Sequence, residues 1–147
     1  MSLKDYKFTI IAFDPGQTTG YAIGEVCIGR FNFRSSGQAI FGRSDLWGLL
    51  SSIGPEYVLT ESFEFRNRAR DNLILDSRNV MGVLELWCQI NNRQYRTQTA
   101  ATGKGYFDNA KLKELEAYRV SCPHANDATR HLLHWINFGE GYKWNAA

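Results

Sequence analysis

The sequence predicts an α/β protein with a mixed five-stranded sheet that is flanked by helices. Three strand-like segments with no helix between them open the chain, and helical and strand-like segments alternate after them. Strands joined by tight turns pair antiparallel, whereas strands joined through a helix can pair in parallel. We therefore expect a three-stranded antiparallel meander followed by two parallel strands.

The opening strands are bounded by turn residues. Residues 8–13 (FTIIAF) are apolar on both faces, which is typical of a central strand, and the sequence DPG at 14–16 ends that strand. Residues 19–26 and 30–40 predict two further strands, which we expect to be joined as a hairpin through Gly29.

The later segments alternate between helix and strand. Ser44 and Asp45 can cap a short helix that ends before GP at 54–55, and a longer helix starts at Asp76 or Ser77 with apolar residues at helical spacing. Pro123 suits the first turn of the last helix. The predicted helices are 44–53, 77–90, 109–118 and 123–136, and the predicted strands are 57–63 and 94–99.

The bulk composition bounds the class of protein. The chain has 147 residues, which we take as one domain over 1–147, and its formal charge of +2 does not by itself indicate a nucleic-acid partner. No run approaches the roughly 20 apolar residues that span a bilayer, and the start of the chain lacks the pattern of a signal peptide. The three cysteines form neither an even set nor a CxxC pair. We expect a soluble, cytoplasmic protein without a disulfide framework, a thiolate zinc site or a membrane partner.

Basic residues are concentrated in two segments. Five of them lie between positions 93 and 113 against one acidic residue, and three arginines alternate just after the fourth strand, so that they share one side of an extended segment. Such segments form either a solvated face or a strip that contacts phosphates. The candidates for phosphate contacts are Arg66, Arg68, Arg70, Lys104, Lys111 and Lys113.

Three acidic residues lie where the surrounding sequence looks buried. Asp14 ends an apolar strand, Glu61 lies inside another, and Asp127 lies in a helix rich in Ala, Leu and Trp. Taken singly, a turn cap, half of an ion pair and a solvated helix position account for them. Taken together they indicate a site, because the first and fourth strands would be neighbours and the last helix could cross their ends. Converging carboxylates repel one another, and a divalent cation is the usual remedy.

The last helix adds histidines on the side that carries Asp127. His124, His131 and His134 lie with that acid in an arc of roughly 80° at helical spacing. They could bind zinc, or they could be partly buried histidines of the core. The oxygen-rich set of three acids instead favours Mg²⁺ or Mn²⁺. Two such ions about 4 Å apart can activate the attacking water and stabilise the leaving oxygen of a phosphodiester.

Three ordered segments carry a family resemblance. FDPGQTTGYA, then TESF, then HANDATRHLLHW resemble the signature segments of RuvC-like Holliday-junction resolvases, and they look closest to the short members encoded by bacteriophages. LILDSRNVMGVLELW resembles the central helix of that family, and TQTAATGKGYFDNAKLKEL its variable basic segment. The resemblance implies a ribonuclease-H-like fold and a homodimer in a bacterial or phage-infected cell. It also implies an endonuclease that uses two Mg²⁺ or Mn²⁺ ions to make paired nicks in branched DNA.

The resemblance also assigns residues. Asp14, Glu61 and Asp127 match the acidic metal ligands of the family, and His124 falls where many members carry Asp and some carry His. An imidazole adds no negative charge, so we expect His124 to act either as a metal ligand or as a proton carrier.

Two further features have two interpretations each. Gly82 lies in the middle of a predicted helix, where glycine costs about 1 kcal/mol relative to alanine. It allows either tight packing against the sheet or, as the resemblance implies, close approach of a second copy. The aromatic residues Phe63, Phe65 and Tyr106 could stack on bases at a junction or pack in the core.

Three other functions compete with junction resolution. A RuvC-like RNA-processing nuclease would have the same fold and site. An actin-like nucleotide-binding protein shares the loop of Asp, Gly and Thr after the first strand, but it needs a second lobe and a second DxG loop, which this chain lacks. A non-catalytic nucleic-acid-binding module would have lost metal ligands, whereas all three acids remain here.

Overall fold

The computed structural model describes residues 7–62, 71–99 and 105–139. Regular secondary structure within them comprises five strands and four helices. The strands are β1 (Lys7–Asp14), β2 (Thr19–Cys27), β3 (Arg30–Ala39), β4 (Tyr57–Glu61) and β5 (Gln94–Gln98). The helices are α1 (Arg43–Ile53), α2 (Asp71–Asn91), α3 (Asn109–Glu114) and α4 (Pro123–Phe138).

The strands form one sheet in the order β3-β2-β1-β4-β5. β2 pairs antiparallel with both β1 and β3, while β4 pairs in parallel with β1 and with β5. The β2–β3 hairpin turns at Ile28 and Gly29, both in the left-handed region with φ of 52° and 72°. The predicted mixed sheet, with its antiparallel meander and its two parallel strands, is confirmed.

The alternation of side chains along the central strands creates a separate core on each face of the sheet. Phe8, Ile10 and Ala12 of β1 pack with α4, whereas Ile11 and Phe13 pack with α1 and α2. Because successive side chains of a strand point to opposite faces, Asp14 continues the set that faces α4. In β4, Leu59 packs on the α4 side, so Glu61 also belongs to that side.

Several predicted boundaries were wrong. β4 ends at Glu61, and position 63, where the predicted strand ended, lies outside the described residues. α2 begins at Asp71, five or six residues before the predicted start at Asp76 or Ser77, because the intervening sequence holds no glycine or proline that would end a helix. α3 ends at Glu114 because Glu116 adopts a left-handed φ of 58°. The N-cap of α1 is Gly42, not Ser44 or Asp45.

Gly82 does not pack against the sheet. It is exposed on α2, and a Cβ built on it would meet no heavy atom within 4 Å. Leu86 and Ile90, one and two turns further on, are 50% and 64% exposed. Of the two interpretations of Gly82, tight packing on the sheet was therefore wrong. No helix in the described part of the chain is long and apolar enough to cross a membrane.

Candidate active site

One row of residues crosses the sheet at the carboxyl end of β1. Asp14 pairs with Gly20, and Phe13 pairs with Thr60, so that Asp14 and the residue after Thr60 are neighbours. From edge to edge the row consists of Gln38, Gly20, Asp14, Glu61 and Gln98. Two of the three predicted acids are thus side by side on the face that α4 covers.

Gly20 brings the first turn of α4 directly onto this row. A Cβ on Gly20 would lie 1.9 Å from the backbone oxygen of His124, a distance that no side chain tolerates. The neighbouring Gln38 Oε1 accepts hydrogen bonds from the backbone N–H groups of His124 (3.0 Å) and Ala125 (3.4 Å). The N-cap residue Cys122 makes no side-chain capping bond, so Gln38 supplies the cap. Gly20 and Gln38 together fix the start of α4 beside Asp14.

Asp14 is mostly buried and is bonded to His124. The His124 Nδ1 lies 2.9 Å from Asp14 Oδ2, and an ionised carboxylate can only accept, so Nδ1 then donates. Burial raises the pKa of Asp14, the hydrogen bond with His124 opposes this rise, and the charges of Glu61 and Asp127 raise the pKa further. Both other acids are therefore near enough to repel the Asp14 carboxylate.

The loop after Asp14 is fixed by other side chains. Thr19 Oγ1 donates to the backbone oxygen of Gly16 (2.9 Å), which closes the turn. Ser77 Oγ on α2 donates to the backbone oxygen of Pro15 (3.0 Å). These bonds hold the turn that the sequence DPG predicted, and they leave the Asp14 carboxylate to His124.

Glu61 lies next to a buried histidine of α4. Its Oε2 is 3.5 Å from Nε2 of His131, whose side chain is 2% exposed. Gln98 Nε2 donates to the backbone oxygen of His131 (3.1 Å), which ties this turn of α4 to the end of β5. Within the described residues, His131 Nδ1 has no hydrogen-bond partner.

Asp127 is paired with an arginine whose part in the site was not predicted. Arg130 Nη1 donates to Asp127 Oδ1 (2.7 Å), Arg130 Nε donates to the backbone oxygen of Phe107 (2.7 Å), and Arg130 Nη2 donates to Asn109 Oδ1. The three-residue spacing of the pair on one helix was the available signal, since residues three apart are neighbours on a helix surface. A cleft of about 260 Å³ adjoins Asp127 and Arg130.

His134 contacts an aromatic side chain. Its ring lies 5.0 Å from that of Phe138, which also contacts the exposed Tyr106, and burial lowers the pKa of His134. Among the residues that the structure describes, no three His, Cys, Asp or Glu side chains are grouped so that they could hold a metal ion. Asp14 and Glu61 are neighbours on the sheet, and the charge of Asp127 reaches Asp14, but within the described residues the three acids do not form one compact group.

Most of the predicted DNA contacts lie outside the described residues. This holds for Arg66, Arg68, Arg70 and Lys104, and also for Phe63 and Phe65. Lys111 lies 3.6 Å from Glu114 on α3, and Lys113 Nζ lies 4.8 Å from the centre of the Tyr118 ring. Both lysines lie on α3, just before the segment that leads to the start of α4.

Comparison with known proteins identifies the fold. No protein-family model matches the chain, and no curated protein matches it in sequence. Among solved structures, Thermus thermophilus RuvC in complex with a Holliday junction substrate superimposes with a TM-score of 0.64. The match covers 86% of this chain and 91% of RuvC at 15% identity. This chain has the ribonuclease-H-like fold of RuvC.

Two further structures have the same arrangement. The fowlpox virus Holliday junction resolvase matches with a TM-score of 0.63 at 13% identity, over 87% of this chain and 97% of that one. The yeast mitochondrial Holliday junction resolvase matches with a TM-score of 0.53 at 12% identity, over 85% of this chain and 75% of that one. The predicted RuvC-like fold is confirmed.

Proposed function

We propose that this chain is a metal-dependent, structure-selective endonuclease that resolves Holliday junctions or other branched DNA by hydrolysing phosphodiester bonds. The observation that carries the proposal is the row in which Asp14 and Glu61 are neighbours beneath the first turns of α4, in the fold of RuvC. Asp127 stands close enough to raise the pKa of Asp14, and His124 is bonded to Asp14.

The chemistry of the donors suits hard divalent cations. Asp14, Glu61 and Asp127 offer carboxylate oxygens, and Mg²⁺ and Mn²⁺ prefer oxygen ligands. Positive charge would also relieve the repulsion that raises the pKa of Asp14. We assign the three acids as ligands of a pair of such ions, with His124 as a further ligand or a proton carrier. When bound, the ions would supply a water nucleophile and stabilise the leaving oxygen.

His124 is the best placed group to move a proton. Its Nδ1 is engaged by Asp14 Oδ2, which orients the ring, and the side chain is 44% exposed. With the proton on Nδ1, the neutral imidazole presents Nε2 as an acceptor. Nε2 can therefore take a proton from the attacking water and release it to solvent.

The substrate is proposed from the relatives in fold and from the charges beside the site. The RuvC structure contains a Holliday junction substrate, and fowlpox virus resolvase has been solved with Holliday junction DNA. In this chain Lys111 and Lys113 lie on α3, next to the segment that leads to α4. We assign them phosphate contacts, together with Arg66, Arg68, Arg70 and Lys104.

A homodimer is part of the proposal. Gly82, Leu86 and Ile90 are spaced four residues apart on α2, so they share one exposed face. Exposed apolar side chains beside an open glycine suit close packing against another helix. Pairing of two copies along this face would give each junction two active sites, as paired nicks require.

A panel of substrates tests the proposed function. The protein is incubated with a labelled four-way DNA junction, a forked duplex, a linear duplex and a structured RNA, each with Mg²⁺, with Mn²⁺ and with EDTA. We expect metal-dependent paired nicks in the junction and little or no cleavage of the linear duplex or the RNA. Preferential cleavage of the RNA would favour an RNA-processing nuclease, and a folded protein that cuts no branched DNA with either metal would contradict the proposal.

A further inference from the structure

Helix α4 supplies one basic side chain to each of the three candidate acids. His124 bonds to Asp14 Oδ2, His131 lies beside Glu61 Oε2, and Arg130 bonds to Asp127 Oδ1. Each contact uses one carboxylate oxygen and leaves the other without a hydrogen bond among the described residues. The helix that brings Asp127 to the sheet thus also sets how each acid can present its second oxygen.

Arg130 makes the best defined of these three contacts. Its side chain is only 12% exposed, and its guanidinium donates to Asp127, to the backbone oxygen of Phe107 and to Asn109. The contacts to Phe107 and Asn109 lie outside α4 and hold the guanidinium in one orientation. Asp127 therefore has a partner on its own helix whose position is fixed by contacts with residues 107–109.

We propose that Arg130 is a positioning residue for Asp127. By holding Oδ1 from one side, it fixes the rotation of the carboxylate and leaves Oδ2 for a divalent cation. Carboxylate ligands of metals are commonly held by hydrogen bonds of this kind, and loss of the outer partner lowers metal affinity or activity by about 10- to 100-fold. The inference rests on the proposed function, because it takes Asp127 as a metal ligand.

The charge of Arg130 acts on metal binding in the opposite direction to its role in orienting Asp127. A guanidinium next to a ligand carries positive charge that repels a cation. If repulsion dominated, removing Arg130 would tighten metal binding. If orientation dominates, as we propose, removing it weakens metal binding. The sign of the change in affinity separates the two effects.

The experiment measures Mn²⁺ binding to the full chain without DNA, by isothermal titration. The variants are Arg130→Gln, Arg130→Lys and the control Arg34→Gln. Arg34 forms a similar pair with Glu25 on the β2–β3 hairpin, so the control removes an arginine–carboxylate contact away from the site. We expect Arg130→Gln to weaken Mn²⁺ binding by about 10- to 100-fold. Arg130→Lys should weaken it less, because lysine keeps the charge but lacks the planar fork. Arg34→Gln should bind Mn²⁺ like the wild type.

Unchanged or tighter Mn²⁺ binding by folded Arg130→Gln would overturn the inference. Thermal unfolding without metal establishes that each variant is folded, and if Arg130→Gln is not, wild-type affinity in Arg130→Lys overturns the inference in its place. The proposed function can fail separately: a wild type that binds Mn²⁺ but cuts no branched DNA is not a resolvase, and the affinities still decide the role of Arg130. A wild type that binds no Mn²⁺ contradicts both.

Discussion

Helices α4 and α2 cover opposite faces of the same sheet, and they meet it through different atoms. The backbone of α4 lies directly on Gly20, where even a single methyl group would collide with the carbonyl of His124. α2 instead meets the sheet through side chains such as Leu84 and Trp87, which pack on Ile11 of β1. The first contact leaves no space for a side chain, and the second is an ordinary hydrophobic core.

We propose that this difference separates the two faces by role. Because the first turn of α4 rests on the sheet backbone, a side chain as short as Asp14 reaches a partner on the helix. On α2 the glycine is open, and the residues that continue its face, Leu86 and Ile90, are exposed. We therefore assign the α4 face to chemistry and the outer surface of α2 to a second copy of the chain.

The largest effect is expected when the close approach of α4 is removed. Gly20→Ala places a Cβ against backbone atoms that cannot rotate away, so the start of α4 must move away from Asp14. A displacement of about 1 Å can reduce catalysis on the order of 10²-fold, and we expect junction cleavage to fall by at least this amount. Single-turnover cleavage at saturating metal measures it.

Gly48→Ala, at an exposed position inside α1, is the matched control for that substitution. Its new methyl group has free space, and alanine stabilises a helix interior by about 1 kcal/mol relative to glycine. Urea unfolding should therefore show Gly20→Ala less stable and Gly48→Ala more stable than the wild type. Wild-type cleavage by Gly20→Ala would contradict the assignment of the α4 contact.

The second prediction concerns the outer face of α2. Leu86→Glu places a charge on the exposed apolar stripe, and we expect it to convert a dimer into a monomer that remains folded. Sedimentation velocity at micromolar concentration measures the change. Ile28→Glu, at the exposed tip of the β2–β3 hairpin, is the control and should remain dimeric. A wild type that is monomeric at this concentration rules out the dimer.

A smaller effect is expected from the cap of α4. Gln38→Ala removes the acceptor for two backbone N–H groups, and loss of an N-terminal cap costs about 1 kcal/mol. Urea unfolding should show this loss, while Asn32→Ala, at an exposed position of the same strand, should not. Equal stability of the two variants would mean that Gln38 does not hold the helix.

The smallest effect concerns the charge of Asp14 in the metal-free protein. Because folding raises the pKa of this carboxyl group above 3.8, its contribution to stability is complete below that pH and is lost as the pH rises through the folded value. At neutral pH Asp14→Asn should therefore melt at a higher temperature than the wild type in EDTA, and the difference should vanish below about pH 3.8. A neutral-pH variant that is less stable than the wild type would refute this electrostatic account.

Local patterns in the sequence were sufficient for the number of strands, for the antiparallel and parallel parts of the sheet, and for the choice of Asp14, Glu61 and Asp127 as neighbours of the core. They were not sufficient where residues distant in the chain meet. The collision that Gly20 avoids involves His124, and the orientation of Arg130 depends on Phe107. Periodicity reports which face a residue occupies, whereas such contacts depend on how the helix lies on the sheet.

Glycines illustrate the same limit. Gly82 stands out in the sequence because it interrupts a helical pattern. Gly20 does not stand out, because glycine is common near a turn. In the structure Gly20 is the position that admits no side chain, while Gly82 has open space around it. The predicted end of α3 was also wrong, because glutamate rarely adopts the left-handed conformation that Glu116 has in the structure.

We propose that the acids beneath α4 form a metal-dependent site that cuts branched DNA. The most direct test compares Mg²⁺-dependent cleavage of one four-way junction by the wild type, by Asp14→Asn and by Asp45→Asn. Asp45 is an exposed residue of α1 and serves as the control. We predict that Asp14→Asn binds the junction but does not cut it, whereas Asp45→Asn cuts like the wild type. Full cleavage by Asp14→Asn would contradict the account.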